Sequence, residues 1–178
     1  TLSQTNVGML ALSPDGSRLA YAATASGSGQ QLYLRAMDAL EAAPLAGTEG
    51  GYNPFFSPDG KWIGFATGTV LKKISVSGGA ALTLSNGGGT MYGAAWGPDD
   101  TLVFNGPTTA LMKFSAAGGE PQPFTSLQQG EASHRWPQFL PDGKTVLFTI
   151  GTAGSYDDAQ IAVQRLDSSE HKVLVRGG

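Results

Sequence analysis

The 178-residue chain has no cysteine, two histidines and few charges. Without cysteine there is no disulfide framework, no thiolate-bound zinc, no iron–sulfur cluster and no thiol nucleophile. Charged residues make up 14% of the chain, and 11 Lys+Arg against 14 Asp+Glu give a net charge of −3. That excludes the basic footprint needed to bind nucleic acid or an anionic membrane surface. No apolar run approaches the roughly 18 residues of a spanning helix, and the N-terminus lacks the basic-then-apolar order of a signal peptide. Helical periodicity is also missing, since the one helix-like stretch, Met37 to Leu45, carries Pro44 and reads as a loop. What the chain does have is 26 glycines and 40% apolar residues, enough to build a core at this length. It begins at Thr1 rather than Met, which reads as a piece processed or excised from something larger.

Four tetrapeptides answer one another along the chain: Ser13-Pro14-Asp15-Gly16, Ser57-Pro58-Asp59-Gly60, Gly97-Pro98-Asp99-Asp100 and Leu140-Pro141-Asp142-Gly143. Their prolines lie 44, 40 and 43 residues apart, so repeats fill almost the whole sequence. Proline presets the first central φ of a turn, aspartate bonds the backbone that follows it, and glycine accepts positive φ. Each tetrapeptide therefore joins two antiparallel strands. The runs that follow, such as Trp62-Ile63-Gly64-Phe65-Ala66 and Val146-Leu147-Phe148-Thr149-Ile150, are nearly continuously apolar, as expected of strands covered on both faces. A third, more alternating run comes next, for example Gln160 to Arg165, and a short fourth such as Ala81 to Leu84. Pro44, Pro121 and Pro123 fit that outermost strand, where a missing N–H breaks no ladder bond.

Four-stranded meanders of 40 to 45 residues in tandem define an all-β architecture, the β-propeller, with four blades in this chain. The expected blades are approximately 5–48, 49–88, 89–130 and 131–178. Ser57-Pro58-Asp59-Gly60-Lys61-Trp62-Ile63-Gly64-Phe65 resembles the TolB-type propeller repeat. The stretch Ser133-His134-Arg135-Trp136-Pro137-Gln138-Phe139-Leu140-Pro141-Asp142-Gly143-Lys144 is similar to a segment of the propeller ectodomains of bacterial membrane-anchored serine/threonine kinases. The resemblance implies a periplasmic or extracellular sensing or protein-binding module, with any kinase chemistry in another domain.

No catalytic constellation is visible. Gly143-Lys144-Thr145 lacks the first glycine of a phosphate loop and lies in a hairpin turn, and Gly87-Gly88-Gly89 does not open a helix. There is no Gly-x-Ser-x-Gly elbow. His171, beside an outer strand, is expected at the surface, and Asp157-Asp158 reads as a solvated pair, so neither a metal nor another cofactor is expected. Candidate recognition residues come from the positions just before each first strand. Aligned on the turn proline, the sixth position before it is Gly8, Tyr52, Tyr92 and Arg135, and the next is Met9, Asn53, Gly93 and Trp136. Tyr52, Asn53, Tyr92, His134, Arg135 and Trp136 thus bring aromatic and hydrogen-bonding groups to one rim, and the Gly151 to Asp158 loop is expected to bring Asp157 toward it. The alternative is structural: Trp136 filling space between blades, His134 and Arg135 bonding loop carbonyls.

Two function classes stay open on this reading. One is a non-enzymatic module that binds a protein, peptide or cell-wall ligand. The other is an accessory propeller of a peptidase-type hydrolase whose catalytic domain lies elsewhere, and a fragment without independent function is a third possibility. Four blades beginning and ending in phase leave two apolar faces to cover, so a homo-oligomer of two half-rings or a longer propeller chain is expected.

Overall fold

Hydrogen bonds inside the Pro-Asp turns show why this composition recurs. Gly16 N–H donates to the Ser13 carbonyl and Ser13 N–H to the Arg18 carbonyl, both at 2.8 Å, which closes the first hairpin. Asp15 Oδ1 fills the turn, accepting from Ser13 Oγ at 2.6 Å and from Ser17 N–H at 3.0 Å. Asp59 accepts from Ser57 Oγ at 2.7 Å and Lys61 N–H at 3.0 Å, while Asp99 and Asp142 accept the N–H groups of Thr101 and Lys144 at 3.1 and 3.0 Å. The last turn residue is left-handed in every copy: φ is 72° at Gly16, 68° at Gly60, 65° at Gly143 and 63° at Asp100. Aspartate tolerates this region better than most side chains, and Asp100 gains an acceptor role, taking a hydrogen bond from Trp96 Nε1 at 2.9 Å. The third hairpin also closes one residue sooner, Gly97 N–H reaching the Thr101 carbonyl.

The computed structural model describes residues 2–3, 10–25, 29–86, 91–106, 108–152 and 156–177. The chain divides into two compact units, Thr1–Asn86 and Gly87–Gly178. In the first unit, β1 (Leu2–Ser3) and β2 (Leu10–Leu12) pair with the same edge of β3 (Arg18–Ala25), followed by β4 (Gln30–Ala36) and β5 (Ala43–Pro44). Its second sheet runs in sequence order through β6 (Gly51–Phe56), β7 (Trp62–Thr67), β8 (Val70–Ser75) and β9 (Leu82–Ser85). The second unit has two four-stranded sheets in the same order: β10 (Ala94–Trp96), β11 (Thr101–Asn105), β12 (Leu111–Ser115), β13 (Gln122–Pro123); then β14 (Glu131–Phe139), β15 (Thr145–Thr152), β16 (Gln160–Arg165), β17 (Lys172–Arg176). A 3₁₀ turn, Tyr156–Asp158, stands between β15 and β16. All pairings are antiparallel. Met37 to Leu45 is turn plus the short edge strand β5, and Pro44 and Pro123 lie on outermost strands opposite Tyr33 and Met112.

Each unit has its own core, drawn from both of its sheets. Ala20, Leu32, Ile63, Phe65 and Ile74 form the first, and Val103, Leu111, Val146, Phe148 and Ile150 the second. Phe65 and Phe148 hold the same repeat position, seven residues past the turn proline, and both are buried. Burying one such side chain contributes roughly 1.5–3 kcal/mol. At Gly64 an added Cβ would fall 2.1 Å from the Phe55 ring, so only glycine lets that ring lie flat on the strand. Among the described residues no helix is long and apolar enough to cross a membrane.

Candidate functional site

In the second and fourth copies the sixth and fifth positions before the turn proline coincide with a kink in the first strand of the sheet. Pairing of β6 with β7 slips between Tyr52 and Phe55, and pairing of β14 with β15 slips between Arg135 and Gln138. These are β-bulges, which bend a strand and redirect its side chains. The fifth position is left-handed wherever the structure describes it: Asn53 at φ 49°, Gly93 at 130° and Trp136 at 52°. Gly8 and Met9, the first-copy equivalents, lie outside the described residues. Glycine and asparagine suit such a backbone, whereas tryptophan does not. A bulky side chain held there costs of order 1–3 kcal/mol and is found where surrounding structure imposes it.

Around Trp136 the second unit gathers a cluster. The Arg135 guanidinium lies 3.7 Å from the centre of the Tyr92 ring and 5.2 Å from that of Tyr156. The Trp136 and Tyr156 rings are 5.4 Å apart and tilted by 45°. Tyr92 is fixed from below by its backbone N–H, which donates to Asn105 Oδ1. Tyr156 arrives from the loop after β15, and Asp157 follows it on the same 3₁₀ turn with an exposed side chain. Arg135 Nε is buried without a hydrogen-bond partner, and among the described residues no carboxylate pairs with the guanidinium. An arginine stacked on aromatic rings presents its remaining N–H fork pre-oriented, the geometry that binds carboxylates bidentately.

In the first unit the corresponding residues are used differently. Tyr52 donates its hydroxyl hydrogen bond to the Gly68 carbonyl at 2.5 Å, tying the bulge to the two-residue turn between β7 and β8. Asn53 is buried. Tyr52 is half-buried, as Arg135 and Tyr92 are, but its polar atom is committed to a backbone carbonyl.

His134 faces inward. Its side chain is fully buried, with the ring 4.8 Å from that of Phe148. Nδ1 meets Thr125 Oγ1 at 2.7 Å, and Nε2 meets Glu131 Oε2 at 3.1 Å. The other Glu131 oxygen is 3.0 Å from His171 Nε2. The expectation of a surface His171 is thereby corrected: its side chain is only 4% exposed, because it folds over Phe148 and His134 toward Glu131 rather than outward. Burial pushes the His134 pKa below its ordinary value, against the opposing pull of Glu131. For Glu131 burial acts upward, yet hydrogen bonds from the Gln128 N–H and His134, with the charges of His171 and His134, bring it below the ordinary carboxylate value. Sequence reasoning did not bring these three together, since residues three apart on a regular strand point to opposite faces. A second register slip, between Glu131 and Ser133, puts Glu131 and His134 on one side. The Glu-x-x-His spacing was the only available sign.

Sheets of this order and number are those of a β-propeller, and comparison with solved structures agrees. TolB-type proteins share the fold: one from Agrobacterium tumefaciens superposes with a TM-score of 0.80 at 18% identity, over 98% of this chain and 67% of that one. TolB from Acinetobacter baumannii gives 0.77 at 18% identity, over 99% and 44%. A chain of a nidogen/laminin complex gives 0.69 at 13% identity, over 91% and 60%. In sequence, the chain is 28% identical over 155 residues to the uncharacterized peptidase YuxL of Bacillus subtilis. That match takes in 83% of this chain and spans about a fifth, 22%, of the relative's length. No family model matches the chain.

Proposed function

We propose that the chain is a non-enzymatic recognition module, working in the bacterial periplasm or outside the cell, whose Arg135 cluster binds a protein, peptide or cell-wall ligand through a carboxylate. The observation that carries this reading is the Arg135 guanidinium stacked between Tyr92 and Tyr156 with no carboxylate partner among the described residues. Trp136, held at φ 52°, supports it, because a strained bulky residue beside an oriented cation favours recognition over packing. The resemblance of Ser133 to Lys144 to receptor-kinase ectodomains suggests that the ligand is sensed on behalf of a separate domain.

The test uses the purified chain, immobilised and exposed to a random peptide library offered with free and with amidated C-termini. Peptides with free carboxyl ends or acidic side chains should be enriched, and Arg135→Lys should abolish the enrichment, since lysine keeps the charge without the planar fork. Equal recovery by the Arg135→Lys protein would overturn the reading.

A second reading rests on the match to YuxL: an accessory propeller of a peptidase-type hydrolase, its catalytic domain in another part of the protein. A hydrolase domain beside these blades in the parent reading frame would favour it, and a kinase domain with a membrane helix would favour the sensor. On either reading further blades, from a second copy or a longer chain, complete the ring. If a second copy supplies them, light scattering should give the mass of a dimer for this chain, and a monodisperse monomer would contradict self-association.

A further inference from the structure

We infer that Glu131, His134 and His171 form a binding site for a divalent transition metal of the zinc class, which ties the first strand of the last blade to the approach of its fourth. The inference is independent of the Arg135 cluster. One ligand atom from each residue, two imidazole nitrogens and a carboxylate oxygen, lie within 4.8 Å of one another. Tetrahedral bonds of about 2.0–2.1 Å place neighbouring ligand atoms about 3.3 Å apart. His134 Nε2 lies 3.1 Å from Glu131 Oε2 and His171 Nε2 lies 3.0 Å from Oε1, so each imidazole must open from its own carboxylate oxygen by a few tenths of an ångström, while the set of three ligand atoms, within 4.8 Å, closes around the ion.

The surroundings are those of a built site. The side chains of His134, His171 and Glu131 are 0%, 4% and 12% exposed, and Phe148 walls off the two imidazoles. Two of the three ligands, His134 and Glu131, are held from behind. Thr125 Oγ1 contacts His134 Nδ1 and also accepts the Leu111 N–H at 2.9 Å, leaving a lone pair for an Nδ1–H donor. With Nδ1 protonated toward Thr125, the Nε2 lone pair is free to bind a metal. Glu131 Oε2 accepts the Gln128 N–H at 2.6 Å. Such outer partners orient metal ligands and raise their basicity. Two imidazoles with one carboxylate suit zinc rather than calcium or magnesium, which take oxygen sets.

The test is titration of the chelator-stripped chain with Zn²⁺ by calorimetry, and with Co²⁺ as a visible reporter of tetrahedral geometry. One equivalent should bind, and His171→Gln and Glu131→Gln should each weaken binding by at least roughly tenfold while keeping the β-sheet far-UV spectrum. These two variants decide the matter even where His134→Gln does not fold, because neither replaces the central buried ring. Absence of saturable binding, or unchanged affinity in either variant, would overturn the proposal.

Discussion

Seven residues before the turn proline, the second sheet of the first unit has Gly51, and the second sheet of the other unit has His134. An added Cβ at Gly51 would lie 2.6 Å from the Thr48 carbonyl and 3.1 Å from the Phe65 ring, so that junction is closed by backbone and apolar packing. At His134 the equivalent space holds an imidazole against Phe148, with Glu131 and His171 beyond. One residue later Tyr52 is spent on a turn carbonyl, while Arg135 stacks on Tyr92 and Tyr156. The connection after the second strand is two residues in the first unit and a longer loop with a 3₁₀ turn in the other. The same repeat thus makes a scaffold in one unit and, in the other, carries ionisable groups and the stacked arginine proposed for recognition. Differences reside at bulges and loops, where side chains change and the ladder is broken only locally.

The largest effects should come from what the units share. Phe65→Ala and Phe148→Ala are each expected to cost about 3–5 kcal/mol in urea denaturation, since both remove a buried ring from an equivalent position. A loss below 1 kcal/mol at either site would break the equivalence. Next comes the position where the units differ: Gly51→Ala should cost about 1–3 kcal/mol by overpacking against the Thr48 carbonyl, and a neutral result would show that the junction has slack.

Acid should separate the units. Burial holds His134 below its ordinary value of 6.5, so below that pH the unfolded chain binds the proton that the metal-free folded one refuses, and stability falls. Glu131, depressed from 4.5, adds a further loss as pH drops through its folded value. Both histidines of the chain lie in the second unit, beside the same carboxylate. Hydrogen exchange, corrected for intrinsic rate, should lose protection in the second unit between about pH 7 and about pH 5 while the first stays level. A parallel loss in both units would refute this assignment. The smallest effect is expected at Trp136→Asn, which suits the left-handed backbone and should stabilise by up to about 1 kcal/mol while impairing ligand capture. A destabilised variant would mean that Trp136 is there for packing.

The strand order and hairpins were legible because four copies of one turn chemistry repeat, and Asp15, Asp59, Asp99 and Asp142 all accept the backbone N–H two residues on. Alignment on the turn proline also located the kinked position. It did not show why that position is special, since a bulge leaves no mark in a two-residue alternation and Asn53, Gly93 and Trp136 share only a backbone angle. The same blindness hid the Glu131 cluster and put His171 at the surface. A residue beside an outer strand is ordinarily solvated, and only the fold of the loop before β17 turns this one inward.

The contrast between Arg135 and Tyr52 is the most direct test of the account. Peptide capture from the free-carboxylate library, measured side by side for Arg135→Lys and Tyr52→Phe, should be lost in the first and retained in the second, whose missing hydroxyl removes only a hydrogen bond worth about 1 kcal/mol. Capture that survives Arg135→Lys, or that fails equally in both variants, would contradict the assignment of recognition to the second unit.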